Sequence, residues 1–130
     1  MQITTVYKFG GSSVADAARM REVAEIICSF PEHFPCVVMS AMGKTTNLLL
    51  EAGRQSVAQG SDVLSLEALQ QIRQLHRDTC GLLGLPQATL DEVEAIMMEL
   101  EQLLTGLAIM QVHALVTCRP AVGVAARSAQ

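Results

Sequence analysis

Aromatic residues and positive charge are both scarce in this sequence. Aromatic side chains make up 3% of the 130 residues, and tryptophan is absent. A stacking platform for single-stranded nucleic acid is therefore not expected. The net charge is −4 and the isoelectric point about 5.2, which argues against a general binder of phosphate backbones. Any phosphate chemistry must depend on a few placed cations and on backbone amides.

The sequence also lacks paired cysteines and long apolar runs. Its cysteines, Cys28, Cys36, Cys80 and Cys118, form no C-x-x-C pair, so neither a zinc site nor a thioredoxin-like motif is supported. We expect reduced thiols in an intracellular compartment. No apolar run approaches the ~18 residues that span a bilayer, and no targeting segment is visible before the first predicted strand. The sequence predicts a soluble intracellular protein that does not bind membranes.

What is present is a strand–helix–strand pattern. Half of the residues are hydrophobic, and the length suits one modest domain. Residues 3–9 are rich in β-branched and aromatic side chains, which predicts a strand that ends at Gly10. Residues 14–30 carry apolar side chains at helical spacing, and residues 36–40 form a short apolar run typical of a parallel strand buried on both faces. The sequence thus predicts an α/β fold that begins with a βαβ unit.

Helices are predicted for most of the remaining chain. They cover residues 45–58, 63–83 and 89–110, and the last begins with a capping box. The second and third form a pair with acidic faces, which we interpret as a packing layer rather than an active site. All 13 acidic residues lie at or before Glu101, and residues 111–130 form a basic, alanine-rich tail.

The first candidate site is the Lys-Phe-Gly-Gly-Ser-Ser segment that begins at Lys8, at the carboxyl end of the first strand. Ligands of open α/β sheets gather beyond this end of the strands. A charge within a strand costs free energy unless it is compensated, and an anion beyond the strand is the simplest compensation for Lys8. Gly10 and Gly11 let the backbone approach such an anion, and a helix capped by Ser12 or Ser13 would direct N–H groups at it. The alternative is a tight turn beside a lysine that extends past the sheet end.

The second candidate site, residues 40–47, follows the second strand. Its Gly-Lys-Thr is part of a nucleotide P-loop pattern, but that motif requires a glycine where this chain has Val38. What remains is a cluster of neutral hydrogen-bonding side chains fit to hold a small polar substrate: Ser40, Thr45, Thr46 and Asn47. Both candidate sites should face one crevice, because parallel strands end at the same sheet edge. The alternative is an ordinary helix start, capped by Thr45 or Thr46.

A histidine-containing triplet, His76-Arg77-Asp78, imitates the catalytic loop of protein kinases. That loop needs an asparagine five residues after the aspartate, where this chain has Leu83. We therefore interpret the triplet as a solvated helix face. His33 and His113 have no partners at ligand spacing, so no metal site built from side chains is predicted.

Together, the two candidate sites resemble the N-terminal part of aspartate kinases in the amino acid kinase family. The similarity is carried by VYKFGGSSVADAARMREVAEIICSF and VVMSAMGKTTNLLLEAG, and it extends from about residue 3 to Met110. The sequence is most similar to the single-function aspartate kinases of plants and algae. The resemblance implies an incomplete three-layer α/β fold, of which this chain holds the N-terminal portion. Residues 1–110 would belong to the catalytic domain, and residues 111–130 would form a divergent tail.

The resemblance also implies a reaction and its residues. Aspartate kinases transfer the γ-phosphoryl group of ATP, which binds with Mg²⁺, to the side-chain carboxylate of L-aspartate, the first step toward lysine, threonine and methionine. By position, Lys8 is implied to contact the transferred phosphoryl group. ATP binding is implied for Lys8, Phe9, Gly10, Gly11 and Ser12. Contact with aspartate is implied for Ser40 and Thr46.

The family's later segments do not occur in these 130 residues. They hold a substrate-binding glutamate and arginine, the adenine pocket and regulatory ACT domains. We therefore expect a truncated product without activity of its own, and a homo-oligomer for the full-length enzyme. Alternatives are another family member acting on glutamate, acetylglutamate, carbamate or a nucleotide, and a non-catalytic fragment that associates with full-length enzyme. The plant resemblance implies the chloroplast stroma, and otherwise the cytoplasm is expected.

Overall fold

A βαβ unit opens the fold. The computed structural model describes residues 3–60 and 62–117. Strand β1 (Thr5–Phe9), helix α1 (Ala17–Cys28) and strand β2 (Pro35–Met39) follow one another. The two strands pair in parallel, with their first residues aligned and their last residues aligned. The predicted βαβ start is therefore confirmed.

Helices make up the rest of the described chain. After β2 come α2 (Thr45–Gln59), a single 3₁₀ turn (Val63–Ser65), α3 (Glu67–Leu83) and α4 (Gln87–Thr117). All three predicted helices are present, with shifted ends. Helix α4 continues without a break past residue 110, where the sequence predicts a change of character. The predicted division there stays a prediction, and the end of the tail, residues 118–130, lies outside the described residues.

The helix predicted over residues 63–83 is interrupted at Leu66. This residue has an extended backbone, with φ −62° and ψ 118°, and its side chain is fully buried. The break allows Leu66 to insert into the core between the 3₁₀ turn and α3. Because Leu66 has no side chain able to cap α3, another residue does so: Gln55 Oε1 accepts a hydrogen bond from the Ala68 N–H at 3.2 Å.

Helix α1 begins later than predicted, and its cap is a different residue. The sequence predicts a start at Val14 with Ser12 or Ser13 as the cap. Instead, the Ser13 N–H bonds to the Gly10 carbonyl at 2.9 Å and closes a turn before the helix. Asp16 then caps α1, since its Oδ1 accepts from the Arg19 N–H at 3.0 Å.

The predicted caps of α2 and α4 are also wrong. Thr45 is the first residue of α2, and its hydroxyl donates to the Met42 carbonyl at 2.7 Å instead of capping the helix. Thr89 lies inside α4, where its N–H bonds to the Pro86 carbonyl at 3.0 Å. Proline favours the start of a helix because its φ is already helical and it has no N–H to satisfy.

Strand β2 is exposed, although the sequence predicts burial on both faces. Val37, Val38 and Met39 have 37%, 48% and 53% of their surface exposed. The prediction fails because the sheet has only two strands within the described residues, and the helices pack mainly on one another. An apolar run is compatible with a buried strand but does not supply the layers that bury it.

The predicted packing layer is the main core of the described chain. Helices α2, α3 and α4 and the 3₁₀ turn enclose a cluster of buried side chains: Ala52, Val63, Leu66, Ala68, Leu69, Ile72, Met97 and Leu104. A buried hydrogen bond joins α2 to α4, from Ser56 Oγ to the Leu104 carbonyl at 2.6 Å. This core holds the helices that follow the second candidate site.

Ion pairs link α3 to α4 at the edge of this core. Arg73 contacts both Glu94, at 3.4 Å, and Glu101. Arg77 contacts Glu94 at 2.9 Å, and His76 is half-buried with Nδ1 at 2.8 Å from the Ile72 carbonyl. Arg77 and Asp78 are exposed, as predicted for a solvated helix face, and the prediction is wrong for the half-buried His76.

Cys28, Cys36 and Cys80 are free thiols, and Cys118 lies outside the described residues. Among residues 3–60 and 62–117, no helix combines the length and the apolar character needed to cross a bilayer.

Candidate functional site

The two candidate segments meet at one edge of the sheet. Phe9 and Met39 are aligned partners, and the Ser40 N–H extends the ladder to the Phe9 carbonyl at 3.0 Å. A Cβ placed on Gly11 would lie 3.4 Å from the Ala41 carbonyl oxygen and 3.7 Å from Ser40 Oγ. The turn after β1 and the loop after β2 are thus so close that one added methyl group on Gly11 would be in van der Waals contact with the loop, and the two segments face each other as the sequence predicts.

Lys8 lies beside the glycine turn with an exposed side chain. Its Nζ is 3.6 Å from where a Cβ on Gly10 would stand, so the ammonium group folds toward the end of the sheet. The desolvation argument for a compensating anion does not apply, because the side chain is in water. Within the described part of the chain, however, no carboxylate pairs with Lys8. Its charge is therefore available to a ligand.

The turn itself offers backbone donors. Residues 10–13 are closed by the Ser13 N–H, while the N–H groups of Gly11 and Ser12 donate to no acceptor among residues 3–60 and 62–117. From the other side, Arg19 Nη1 donates to the Ser12 carbonyl at 3.1 Å. Consecutive backbone N–H groups in a turn can hold an anion without a helix N-terminus. The predicted contribution of the α1 N-terminus is wrong, since that helix begins several residues later.

Phe9 can take part only through its backbone. Successive side chains of a strand point to opposite faces, so the Phe9 ring lies on the face opposite Lys8. It packs at 6.4 Å against the ring of Tyr7, and its carbonyl accepts from Ser40. The predicted role of Phe9 in ATP binding has no side-chain support in this geometry.

The second segment divides into available and occupied hydroxyls. Ser40 and Thr46 are exposed, and Ser40 Oγ faces the glycine turn. Thr45 is buried, and its hydroxyl already donates to the Met42 carbonyl. Asn47 is exposed in the first turn of α2. The neutral cluster predicted from the sequence therefore contains three available side chains rather than four.

Sequence reasoning missed two residues that shape this site. The sequence presents Gly43 only as part of an incomplete P-loop pattern, yet it has φ +49° and stands so close to Ala15 that a Cβ there would lie 3.3 Å from the Ala15 carbonyl oxygen. Arg19 is not among the candidate residues of the sequence analysis, yet its guanidinium donates to the Ser12 carbonyl. A weak signal existed for Arg19, because it stands three residues after Asp16, within reach of that carboxylate at 3.8 Å.

The helical layer holds a separate cleft. A space of about 620 Å³ lies between the 3₁₀ turn and α4, lined by residues that include Asp62, Leu64, Glu101, Thr105 and Ile109. None of its lining residues belongs to the turn after β1 or to the loop after β2.

A family model for the amino acid kinase family matches residues 4–124. The chain belongs to this family. The match includes both candidate segments, and it confirms the α/β fold class and the resemblance read from the sequence. It also continues past residue 110 into the predicted tail.

Relatives within the family are aspartokinases. The chain is 51% identical over 111 residues to aspartokinase 1, chloroplastic, from Arabidopsis thaliana, which covers 84% of this chain and 19% of that protein. It is 47% identical over 111 residues to aspartokinase 2, chloroplastic, of the same plant, covering 85% and 20%. The chain thus spans about a fifth of the length of these relatives.

A solved structure shares the fold. The crystal structure of E. coli aspartokinase III in complex with lysine and aspartate, in its T-state, superposes with a TM-score of 0.67 at 30% sequence identity. The alignment covers 80% of this chain and 22% of that one. Two parallel strands and four helices of the described chain therefore have an amino-acid-kinase arrangement.

Proposed function

We propose that this protein is an aspartate kinase, which transfers the γ-phosphoryl group of ATP to the side-chain carboxylate of L-aspartate and forms 4-phospho-L-aspartate. The observation that carries the proposal is the contact between the turn beside Lys8 and the loop at Ser40. One segment offers a cation and backbone donors, and the other offers neutral hydroxyls. The names of the relatives favour aspartate as the acceptor.

Lys8 is proposed to contact the phosphoryl group as it moves. Negative charge spreads over the phosphoryl oxygens during transfer, and an ammonium group on a flexible stem can follow it. Gly10, Gly11 and Ser12 would hold the phosphates of ATP through their backbone, close to Lys8 Nζ. No side chain need act as a base, because the attacking carboxylate is already ionised at neutral pH.

Ser40 and Thr46 are proposed to hold aspartate. Their exposed hydroxyls can donate to a carboxylate without adding charge of their own. Thr45, by contrast, is held by Met42 and would contact the substrate only if that bond broke. The donor and acceptor of the phosphoryl group would then stand on two loops that touch, which favours reaction by proximity.

Mg²⁺ is proposed to enter with ATP. Among residues 3–60 and 62–110, no three histidine, cysteine or acidic side chains cluster closely enough to hold a metal ion. The ion would therefore be held mainly by phosphate oxygens, where it neutralises charge during transfer. We further propose a homo-oligomer and, from the chloroplastic relatives, the chloroplast stroma as its location.

The test measures aspartyl phosphate as its hydroxamate, with ATP, Mg²⁺ and L-aspartate. It uses the full chain and a chimera in which this chain replaces the 111 aligned residues of Arabidopsis aspartokinase 1. Lys8→Ala is expected to lower the rate by roughly 10²–10³, by analogy with the loss of one oxyanion-hole donor. Arg54→Ala is the control, since it removes an exposed positive charge on α2 that pairs with Glu51 on the same helix.

Two results would contradict the proposal. One is a chimera that makes no aspartyl phosphate although it folds and binds ATP. The other is equal activity of the Lys8→Ala and Arg54→Ala variants. Glutamate, acetylglutamate and carbamate are offered in competition, and preference for any of them would assign the site to another reaction of the family.

A further inference from the structure

We infer that Gly43 is a positioning residue that sets the separation between the two loops of the site. The inference rests on the proposed function, which places ATP phosphates on the turn at residues 10–13 and aspartate on Ser40 and Thr46, in the loop after β2 and the first turn of α2. Gly43 itself touches neither substrate in this proposal. It acts through the backbone of the segment that it contacts.

The first observation is a close approach between two backbones. Gly43 has φ +49°, a conformation that residues with a Cβ adopt at a cost. A Cβ built there would stand 3.3 Å from the Ala15 carbonyl oxygen and 4.0 Å from its Cα. Both atoms belong to the backbone, so no flexible side chain can turn away. Adding a methyl group must push the two segments apart by a few tenths of an ångström.

The second observation is that Ala15 is held in place. Its neighbour Val14 is buried, with 1% of its surface exposed. Its other neighbour, Asp16, caps α1 through the Arg19 N–H. Displacement at Gly43 therefore cannot be absorbed easily on the Ala15 side alone, and the loop after β2 must take up part of it.

The third observation is that Gly11, in the turn after β1, also lies close to the loop after β2. A Cβ on Gly11 would lie 3.7 Å from the Gly43 carbonyl oxygen and 3.4 Å from that of Ala41. Each loop thus presents a glycine to a carbonyl group of the other. A shift of Gly43 changes the surroundings of Gly11, which is proposed to hold phosphate, and also the position of Ser40, which is proposed to hold aspartate.

This arrangement predicts a specific kinetic effect. Each substrate binds mainly to its own loop, so moving the loops apart should leave both KM values nearly unchanged. Transfer requires the carboxylate oxygen and the phosphorus to be close, and a displacement near 1 Å can lower a rate by roughly a hundredfold. For a shift of a few tenths of an ångström at Gly43, we expect a fall in kcat of about tenfold.

The test compares Gly43→Ala with Gly84→Ala. Gly84 is a matched control, because it also has a left-handed backbone, with φ +67°, but nothing lies within 4 Å of its Cβ position. Both variants therefore introduce backbone strain, and only the first introduces a contact between the loops. Activity is measured in the full chain, and in the chimera if the chain alone gives no turnover.

We expect Gly43→Ala to lower kcat about tenfold with less than threefold change in the KM for MgATP and aspartate, and Gly84→Ala to leave kcat unchanged. Equal kcat losses in both variants, or a loss confined to KM, would overturn the inference. Backbone amide resonances of Gly11 and Ser12 in the full chain give a second readout, which does not need turnover. Gly43→Ala must move them and Gly84→Ala must not, even if the wild-type protein makes no aspartyl phosphate and the proposed function fails.

Discussion

Replacing Leu69 with alanine tests whether the buried cluster between α2, α3 and α4 is the main source of this chain's stability. Leu69 is fully buried in α3, whereas Leu82 in the same helix has 67% of its surface exposed. Replacing a buried leucine with alanine removes its transfer free energy and leaves a cavity, which together destabilise by about 3 kcal/mol. The same change at an exposed position stays within about 0.5 kcal/mol. Both substitutions replace leucine with alanine in α3, so their effects on helix propensity are similar and largely cancel when the two variants are compared.

The measurement is unfolding of the purified chain, followed by circular dichroism against temperature and urea. A loss of about 3 kcal/mol should lower Tm by roughly 10 °C for a domain of this size. Leu82→Ala should lower it by no more than about 2 °C. Equal shifts for the two variants would refute the reasoning, because they would mean that the cluster around Leu69 is not packed as described. A change in the urea m-value would instead indicate loss of two-state unfolding.

Three further changes test separate contacts. Ser56→Ala removes the buried hydrogen bond to Leu104, which is worth about 1 kcal/mol, but alanine has a helix propensity more favourable by about 0.5 kcal/mol. The urea midpoint of unfolding should therefore fall slightly, and a large fall would contradict these two contributions. Asp16→Ala should destabilise by about 1 kcal/mol through loss of the α1 cap, while Asp16→Asn should not, and equal losses would rule out capping as the cause. Arg73→Ala leaves the mostly buried Glu101 without its cation and should destabilise the fold by about 2 kcal/mol, at low and at high salt. A loss of stability that vanishes at high salt would indicate a solvent-exposed ion pair instead.

The order of elements could be predicted because it depends on local patterns. Strand β1 and helix α1 lie within the ranges read from side-chain periodicity, and strand β2 is shifted by one residue from its predicted range. The ends of the helices could not be predicted as well. Several residues near each start have side chains that can cap, and the choice depends on where the backbone first becomes helical. Here residues 10–13 form a turn before the helix, and Asp16 is the residue whose carboxylate accepts from an N–H of the first helical turn.

The candidate site was predictable in outline for a similar reason. Lys8 lies at the end of β1 and Ser40 follows β2, and the parallel pairing of Phe9 with Met39 brings those ends together. The spacing between the loops was not predictable. It depends on the approach of Gly43 to Ala15, a contact between residues 28 positions apart in the chain that no local pattern encodes.

The sequence by itself determined the alternation of strands and helices, the two polar segments at the strand ends, and the family. These depend on side-chain type and spacing over short stretches, where backbone preferences and periodicity act directly. Only the tertiary structure decided that β2 is exposed, that Leu66 breaks a helix to enter the core, and that Thr45 is occupied while Ser40 is available. Burial and hydrogen-bond partners are properties of elements brought together from distant parts of the chain. They follow from packing, and a pattern read along one segment does not contain them.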